Sequence, residues 1–150
     1  VPAASAFDLP CFDEHLAISL YRRLYQAISQ KLVRSCHDVS DGGLAVCLAE
    51  SAMGGNLGLK AELNANLFAH LTPECDGEGP GMIVASVAKE NQKQFEEGFA
   101  GLAGLNLIGS VQETASGFSL KFGQCGETIK LELSSMLEAF QSALPFEEDN

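Results

Sequence analysis

The sequence predicts an α+β fold, with helices packed on a mostly antiparallel, mixed sheet of about four to six strands. Apolar residues recur at helical spacing in some segments and alternate strictly with polar residues in others. The two patterns follow one another without the regular alternation that a parallel sheet built from βαβ units requires. A chain of 150 residues with a hydrophobic fraction of 46% is large and apolar enough to form its own core.

The first third of the chain predicts a helix, a strand and a second helix. The first helix begins near Asp13, and one of its faces carries Leu16, Leu20, Tyr21, Leu24, Ile28 and Leu32. A short strand follows over residues 33–39, and a turn leads into a second helix that opens at Leu44. The pair Gly54-Gly55 ends this helix, as glycines commonly do.

The middle of the chain predicts three strands and a third helix. Alternation over residues 57–63 indicates a half-buried strand. The nearly continuous apolar run over residues 82–87 predicts a central strand covered on both faces. A helix marked by Phe95, Phe99 and Leu102 comes next, followed by a strand over residues 105–111.

The last third predicts a hairpin and a terminal helix. Residues 118–122 and 129–133 each alternate, with Gly123 and Gly126 between them. Ser135 and Glu138 fit a capping box, and the buried face of the helix then carries Leu137, Phe140 and Leu144 before Pro145.

These elements place one domain at residues 13–145. Residues 1–12 predict a linker or an arm that packs on another surface, and residues 146–150 predict an acidic tail in solvent. The pair Arg22-Arg23 fits a solvated face, or an ion pair to a neighbouring domain, better than it fits a phosphate clamp.

Charge argues against several classes of partner. The net charge of −11 repels phosphate backbones and anionic lipids, so we expect neither a nucleic-acid nor a membrane partner. No apolar run approaches the roughly 18 residues of a membrane span, and the N-terminal residues lack the pattern of a secretory signal. The predicted location is the cytoplasm.

Cysteine and histidine spacing predicts neither a disulfide framework nor a metal site. The five cysteines are scattered without a C-x-x-C pair, and the three histidines show no metal-binding spacing. Cys36 and Cys47 lie within apolar patterns and are expected to be small core residues.

The segment richest in information is His37-Asp38-Val39-Ser40-Asp41-Gly42-Gly43-Leu44, which predicts a strand end, a tight turn and a helix start. Its carboxylates and hydroxyl can accept hydrogen bonds from amides of the first helical turn. The glycines allow close approach of a ligand or another backbone, and free amides at a helix N-terminus suit a phosphate or carboxylate. The same residues also suit a plain structural cap, and the carboxylates repel an anion unless a cation intervenes.

The longer stretch from Ser35 to Glu50 reads SCHDVSDGGLAVCLAE. It resembles the second-half signature of phosphoribosylformylglycinamidine synthase, which reads roughly S-x-H-D-V-S-D/E-G-G-L-A-V-A-L-A-E. Aminoimidazole ribonucleotide synthetase, from the same superfamily, carries a different form, H-I-T-G-G-G-L. The likeness extends over about residues 10–144. It implies the C-terminal lobe of the second half of the synthase, with a fold like the PurM C-terminal domain.

The resemblance implies a parent ligase that converts formylglycinamide ribonucleotide to the amidine. Such a parent uses ATP, Mg²⁺ and ammonia, the ammonia being released by a glutamine amidotransferase subunit or domain. In that family an N-terminal-type lobe carries most nucleotide, metal and catalytic groups, and the C-terminal lobe completes the pocket. We therefore expect no catalytic residue, metal ligand or tightly bound cofactor in this chain, and no activity from it alone.

The resemblance also assigns residues that line a ligand or an interface. The candidates are His37, Asp38, Ser40, Asp41, Gly42, Gly43, Glu74 and Cys75. The last two are the weaker ones, because the family usually has an E-S-Q/N-G/S-R run there, whereas this chain lacks the arginine and carries extra residues. Residues 74–81 therefore either help to hold a ligand or form a solvated acidic loop.

Two other functions stay open. The chain could be a non-catalytic binding or assembly domain, or the C-terminal lobe of another enzyme of the superfamily. An ATP-binding lobe encoded immediately upstream would favour the ligase. A lobe without its companion exposes apolar surface, so we also expect this chain to form a homodimer through that surface.

Overall fold

A computed structural model describes residues 14–64, 82–102, 104–123 and 126–142 of the chain. The helices are α1 (Glu14–Ser29), α2 (Gly43–Gly55), α3 (Gln92–Gly98) and α4 (Leu133–Ser142). The strands are β1 (Val33–Asp38), β2 (Gly58–Leu63), β3 (Ile83–Val87), β4 (Gly109–Gln112), β5 (Phe118–Phe122) and β6 (Thr128–Leu131). The predicted α+β class is confirmed, and the strands over these ranges lie in two sheets, of two and four strands.

The chain divides into two compact units. The first unit contains α1, β1, β3 and α3, and the second contains α2, β2, β4, β5, β6 and α4. The chain passes from the first unit to the second between Val39 and Ser40, and it leaves the first unit for the last time after Leu105.

In the first unit, β1 and β3 form an antiparallel pair that runs from Val33 opposite Val87 to Asp38 opposite Ile83. All five residues of β3 are half-buried. The prediction of a central strand covered on both faces is therefore wrong. The physical reason is that β1 is the only strand hydrogen-bonded to β3 within the described part of the chain.

The core of the first unit is formed by Leu24, Ala27, Leu32 and Phe99. The predicted buried face of α1 is correct for Leu24, but Leu16, Tyr21 and Ile28 are 40–47% exposed, and the buried Leu32 lies beyond the end of the helix. Two alanines, Ala17 and Ala27, are buried in their place, because small side chains let the helix approach its neighbours closely.

The C-terminal end of α3 is capped by Arg23. Its Nη1 atom donates to the carbonyl oxygens of Gly98, at 2.9 Å, and Ala100, at 2.8 Å. Carbonyls at a helix end lack partners within the helix, so the guanidinium satisfies groups that would otherwise depend on water. Arg23 therefore caps a helix end within its own unit, whereas the neighbouring Arg22 is exposed as predicted.

The second unit is built on a four-stranded sheet in the order β4-β2-β5-β6. The outer pairs are antiparallel, as the predicted hairpin of β5 and β6 required, and the central pair β2–β5 is parallel. Helix α2 contacts β2 and β5, and its predicted apolar stripe is buried at Leu44, Cys47, Leu48 and Ala52. On the central strands, Leu120 lies opposite Ala61 and Leu63 lies opposite Phe122, and both leucines are fully buried.

Two element boundaries in the second unit differ from the predictions. β4 begins at Gly109, and the preceding Leu105 and Leu107 are 48% and 80% exposed. Helix α4 begins at Leu133, so Ser135 lies inside the helix and is not its cap. Its buried residue is Met136, whereas Leu137 and Phe140 are exposed, and Leu144 and Pro145 lie outside the described residues. Among the helices described, none is long and apolar enough to cross a membrane.

Candidate functional site

The strand end of the candidate segment lies in the first unit. His37 Nδ1 lies 2.6 Å from the carbonyl oxygen of Asp38 and 3.9 Å from the carboxylate atom Oδ1 of the same residue. The Asp38 side chain is 80% exposed and that of His37 is 33% exposed. These two candidates therefore present polar atoms to solvent, while the amide of Val39 continues the pairing by donating to Met82 O.

The turn and helix start lie in the second unit. The amide of Gly43 donates to the carbonyl oxygen of Ser40 at 2.9 Å, which closes the turn. Ser40 and Asp41 are exposed, whereas Gly43 and Leu44 are buried. Leu44 is 2% exposed and anchors the start of α2 in the core of this unit. Leu44 thus fixes the helix side of the turn in the core, and Ser40 and Asp41 on the other side are exposed to solvent.

Gly42 is required by the backbone and by its own helix. Its φ of 88° lies in the left-handed region, where a side chain is strained. A Cβ atom at this position would lie 2.6 Å from Cγ2 and 2.7 Å from Cβ of Val46. The contact with Val46 explains why position 42 is a glycine, and close approach of a ligand or another backbone to it stays a prediction.

The predicted side-chain cap of α2 is wrong. The N-cap residue is Gly42, which has no side chain to accept a hydrogen bond. A hydrogen bond between the backbones of Ser40 and Gly43 joins the turn to α2. At this turn α2 presents the positive end of its dipole, and the Gly43 amide is already bonded to Ser40.

Both cysteines were predicted to lie in the core. Cys47 is buried as predicted, but Cys36 is exposed, so its prediction is wrong. Alternation along β1 places Cys36 and Asp38 on the same side of the strand. Partial burial, together with the nearby Asp38 carboxylate, raises the pKa of the Cys36 thiol. The thiol is thus mainly protonated near neutral pH, which is unsuited to a nucleophile.

Metal ligation was tested against the residues present. Within residues 14–64, 82–102, 104–123 and 126–142, no three His, Cys, Asp or Glu side chains converge to hold an ion. Asp38 and Asp41 offer exposed carboxylates, but they do not form a ligand set. We therefore assign no catalytic step through a cation to these residues. The weaker candidates Glu74 and Cys75 lie outside the described residues.

A shallow groove of about 370 Å³ lies elsewhere in the second unit. It is lined by Met53, Asn56, Thr114, Glu132, Leu133, Ser134 and Leu137. Met53 and Asn56 belong to the C-terminal end of α2, opposite to the end that carries the candidate turn. The groove contains none of the candidate residues.

Comparison with known proteins decides the family. Residues 11–120 match the family described as AIR synthase related protein, C-terminal domain. The chain belongs to this family. The match includes the whole Ser35–Glu50 stretch on which the sequence resemblance depends.

Individual members of the family show the same relationship. The chain is 34% identical over 138 residues to phosphoribosylformylglycinamidine synthase subunit PurL of Parasynechococcus marenigrum, and 33% identical over 135 residues to that of Limosilactobacillus reuteri. These alignments cover 91% and 89% of this chain but 17% of either relative. The chain therefore corresponds to about a sixth of the length of the relatives it matches.

A solved structure supports the fold. The structure described as T. maritima PurL complexed with FGAR matches with a TM-score of 0.66 at 14% sequence identity. The match covers 89% of this chain and 23% of the other. At this identity the likeness establishes the fold, and it confirms the expected similarity to AIR synthase-type domains.

Sequence reasoning missed two residues that the structure brings forward. The sequence predicts a solvated face or an interdomain ion pair for Arg23, because nothing in it indicates which carbonyls lie within reach of this side chain. Cys36 was placed in the core because apolar residues surround it in sequence. A strand with one hydrogen-bonded neighbour leaves such a position open.

Proposed function

We propose that this chain is the C-terminal lobe of the second half of a phosphoribosylformylglycinamidine synthase. It would complete a nucleotide or substrate pocket whose main binding and catalytic groups lie in a companion lobe. The supporting observation is the 33–34% identity to PurL subunits over 89–91% of this chain, within a matched family domain.

The exposed turn is the part of this chain that best suits such a role. Ser40 and Asp41 are open to solvent beside first-turn amides of α2, while Leu44 fixes the helix start in the core. Free amides can bind phosphate or carboxylate oxygens, and the exposed carboxylate can complete the shell of a cation that another lobe holds. For His37 and Asp38 at the end of β1, the resemblance also implies a lining role.

The parent reaction would use ATP and Mg²⁺, with ammonia from a glutamine amidotransferase partner. The described residues of this chain supply no complete metal site. The role that we propose for it is positioning and charge placement, which can supply a large part of the rate of such transfers. Accordingly, we predict no ATP turnover by the chain alone.

The test compares variants of the intact parent protein that carries this segment. Asp41→Asn keeps the size of the side chain and removes its charge, and we expect the rate of ATP- and ammonia-dependent amidine formation to fall at least about tenfold. Glu113→Gln removes a charge from an exposed carboxylate elsewhere in the second unit and serves as the matched control. Equal rates for both variants and wild type would remove the turn from the proposal, and turnover by the 150-residue chain alone would refute the division of labour.

A further inference from the structure

Helix α1 buries Ala17, Leu24 and Ala27 on one face, and the adjacent face carries an exposed apolar stripe. Ile18, Tyr21, Tyr25 and Ile28 are 39%, 47%, 72% and 46% exposed. They are separated by three, four and three residues, the spacing of the seam along which two helices pack together. Both tyrosines of the chain lie in this stripe.

The order of the four residues is palindromic. An interface with a different protein does not require this symmetry. Read in either direction it has the same order, Ile-x-x-Tyr-x-x-x-Tyr-x-x-Ile. When two copies of α1 lie antiparallel about a twofold axis near the middle of the stripe, Ile18 faces the partner's Ile28 and Tyr21 faces the partner's Tyr25. A twofold interface needs this kind of self-complementarity, because each contact occurs twice.

Charge at the two ends of the helix favours the antiparallel arrangement. Glu14 is the first residue of α1, and Lys31 follows its last turn; both are exposed. An antiparallel pair brings Glu14 towards the partner's Lys31, whereas a parallel pair brings two Glu14 carboxylates together. The antiparallel pair also sets the two helix dipoles in opposite directions. Arg22 flanks the stripe and is exposed, so its long side chain can keep its charge in water.

From this geometry we propose that the chain forms a twofold homodimer in which the α1 stripes pack antiparallel. Tyrosine supplies large, rigid contact area and is enriched among the residues that dominate interface energy. Tyr25 is the most exposed of the four residues and sits next to the centre of the stripe, so it contributes most. The proposal does not depend on the ligase function.

The first test measures assembly of the whole 150-residue chain by sedimentation up to about 1 mM protein. An ionic strength of about 0.15 M screens the repulsion between two chains of charge −11. We expect a monomer–dimer equilibrium, with the dimer dissociation constant raised at least about tenfold by Tyr25→Lys. The control Gln26→Lys adds the same charge at the next position, outside the stripe, and should leave the dimer dissociation constant unchanged. Circular dichroism of both variants checks that α1 remains folded.

Tyrosine fluorescence gives a second, local measurement. The chain has no tryptophan, so its intrinsic emission reports the stripe alone. Acrylamide quenching should weaken as protein concentration rises through the dimer transition. A monomer throughout, or a dimer whose formation leaves quenching unchanged, would overturn the proposal. The same holds if the dimer survives Tyr25→Lys, which would point to another surface.

Orientation is tested by disulfide cross-linking under mild oxidation, with wild type as the control for the native cysteines. Ile18→Cys combined with Ile28→Cys should give covalent dimers, because the two positions face one another across the twofold axis. Ile18→Cys alone should give no more than wild type. Self-cross-linking of the single variant would indicate a parallel pair and would contradict the proposal. If an added companion lobe dissolves the dimer, the proposal is contradicted, because the stripe would then be the surface that binds this lobe.

Discussion

The two units of the chain differ in how completely they close their cores. The fully buried large side chains of the described residues, namely Leu44, Leu48, Leu63, Leu120 and Cys47, all lie in the second unit. The core residues of the first unit are 5–9% exposed, and every residue of its strand β3 is half-buried. A four-stranded sheet covered by a helix excludes water from its centre, whereas a two-stranded ribbon does so only in part. Stability is therefore concentrated in the second unit.

The largest expected change in the free energy of unfolding comes from replacing one core leucine in each unit by alanine. Leu120→Ala removes a side chain that is fully buried, and we expect it to lower the free energy of unfolding by about 3–5 kcal/mol. Leu24→Ala, at 9% exposure in the first unit, should cost about 2 kcal/mol, because the less enclosed site can collapse or hydrate. Urea unfolding followed by circular dichroism measures both. An equal or reversed order would break the contrast.

A smaller effect should be confined to the first unit. Arg23→Ala leaves two carbonyls at the end of α3 without their donor, and we expect a loss of about 1–2 kcal/mol. Arg22→Ala removes the same side chain from the neighbouring exposed position and should change stability by less than about 0.5 kcal/mol. Hydrogen exchange should show faster opening of α3 for the Arg23 variant, with β2 and β5 unaffected. Faster exchange throughout both units would contradict local capping.

The smallest effect concerns the two described cysteines, one in each unit. Exposed Cys36 should react with iodoacetamide in the folded protein, and buried Cys47 should not. Asp38→Asn removes the lesser of the two causes that raise the pKa of Cys36, so that pKa falls part of the way. More thiolate is then present at neutral pH, and the rate should rise, with the pH–rate midpoint moving down. Peptide mass spectrometry resolves the sites; an unchanged midpoint would exclude the Asp38 contribution.

Local sequence patterns predicted most of the helices and strands but not which strands pair with one another. The alternation at residues 57–63 and 118–122 identified β2 and β5, yet it could not show that these strands pair in parallel across a long separation. The apolar run of β3 suggested burial on both faces, but burial depends on neighbours that the run itself does not specify. Helix faces were predicted by counting large apolar residues, which overlooked the two alanines that let α1 pack closely.

The order of strand, turn and helix in the candidate segment was predictable, and its detailed geometry was less so. The glycine pair marked a turn, and Gly42 indeed adopts a left-handed conformation. The expected side-chain cap did not form, because the capping position itself is occupied by Gly42. That Val46 fills the space beside this glycine could not be read from spacing alone, since it depends on the angle at which α2 starts. Resemblance supplied the family, which these local arguments could not.

The parallel pairing of Leu59 with Phe118 also has a consequence for how the protein is made. A ribosome releases the strands in chain order, so β2 emerges long before the strand it needs. The intervening residues include β3 and α3, with which the other unit is completed. That less enclosed ribbon can therefore assemble during synthesis, while the better-packed sheet waits for β5 and for the slow closure of a long loop. The part that holds most tightly at equilibrium would be the last to form.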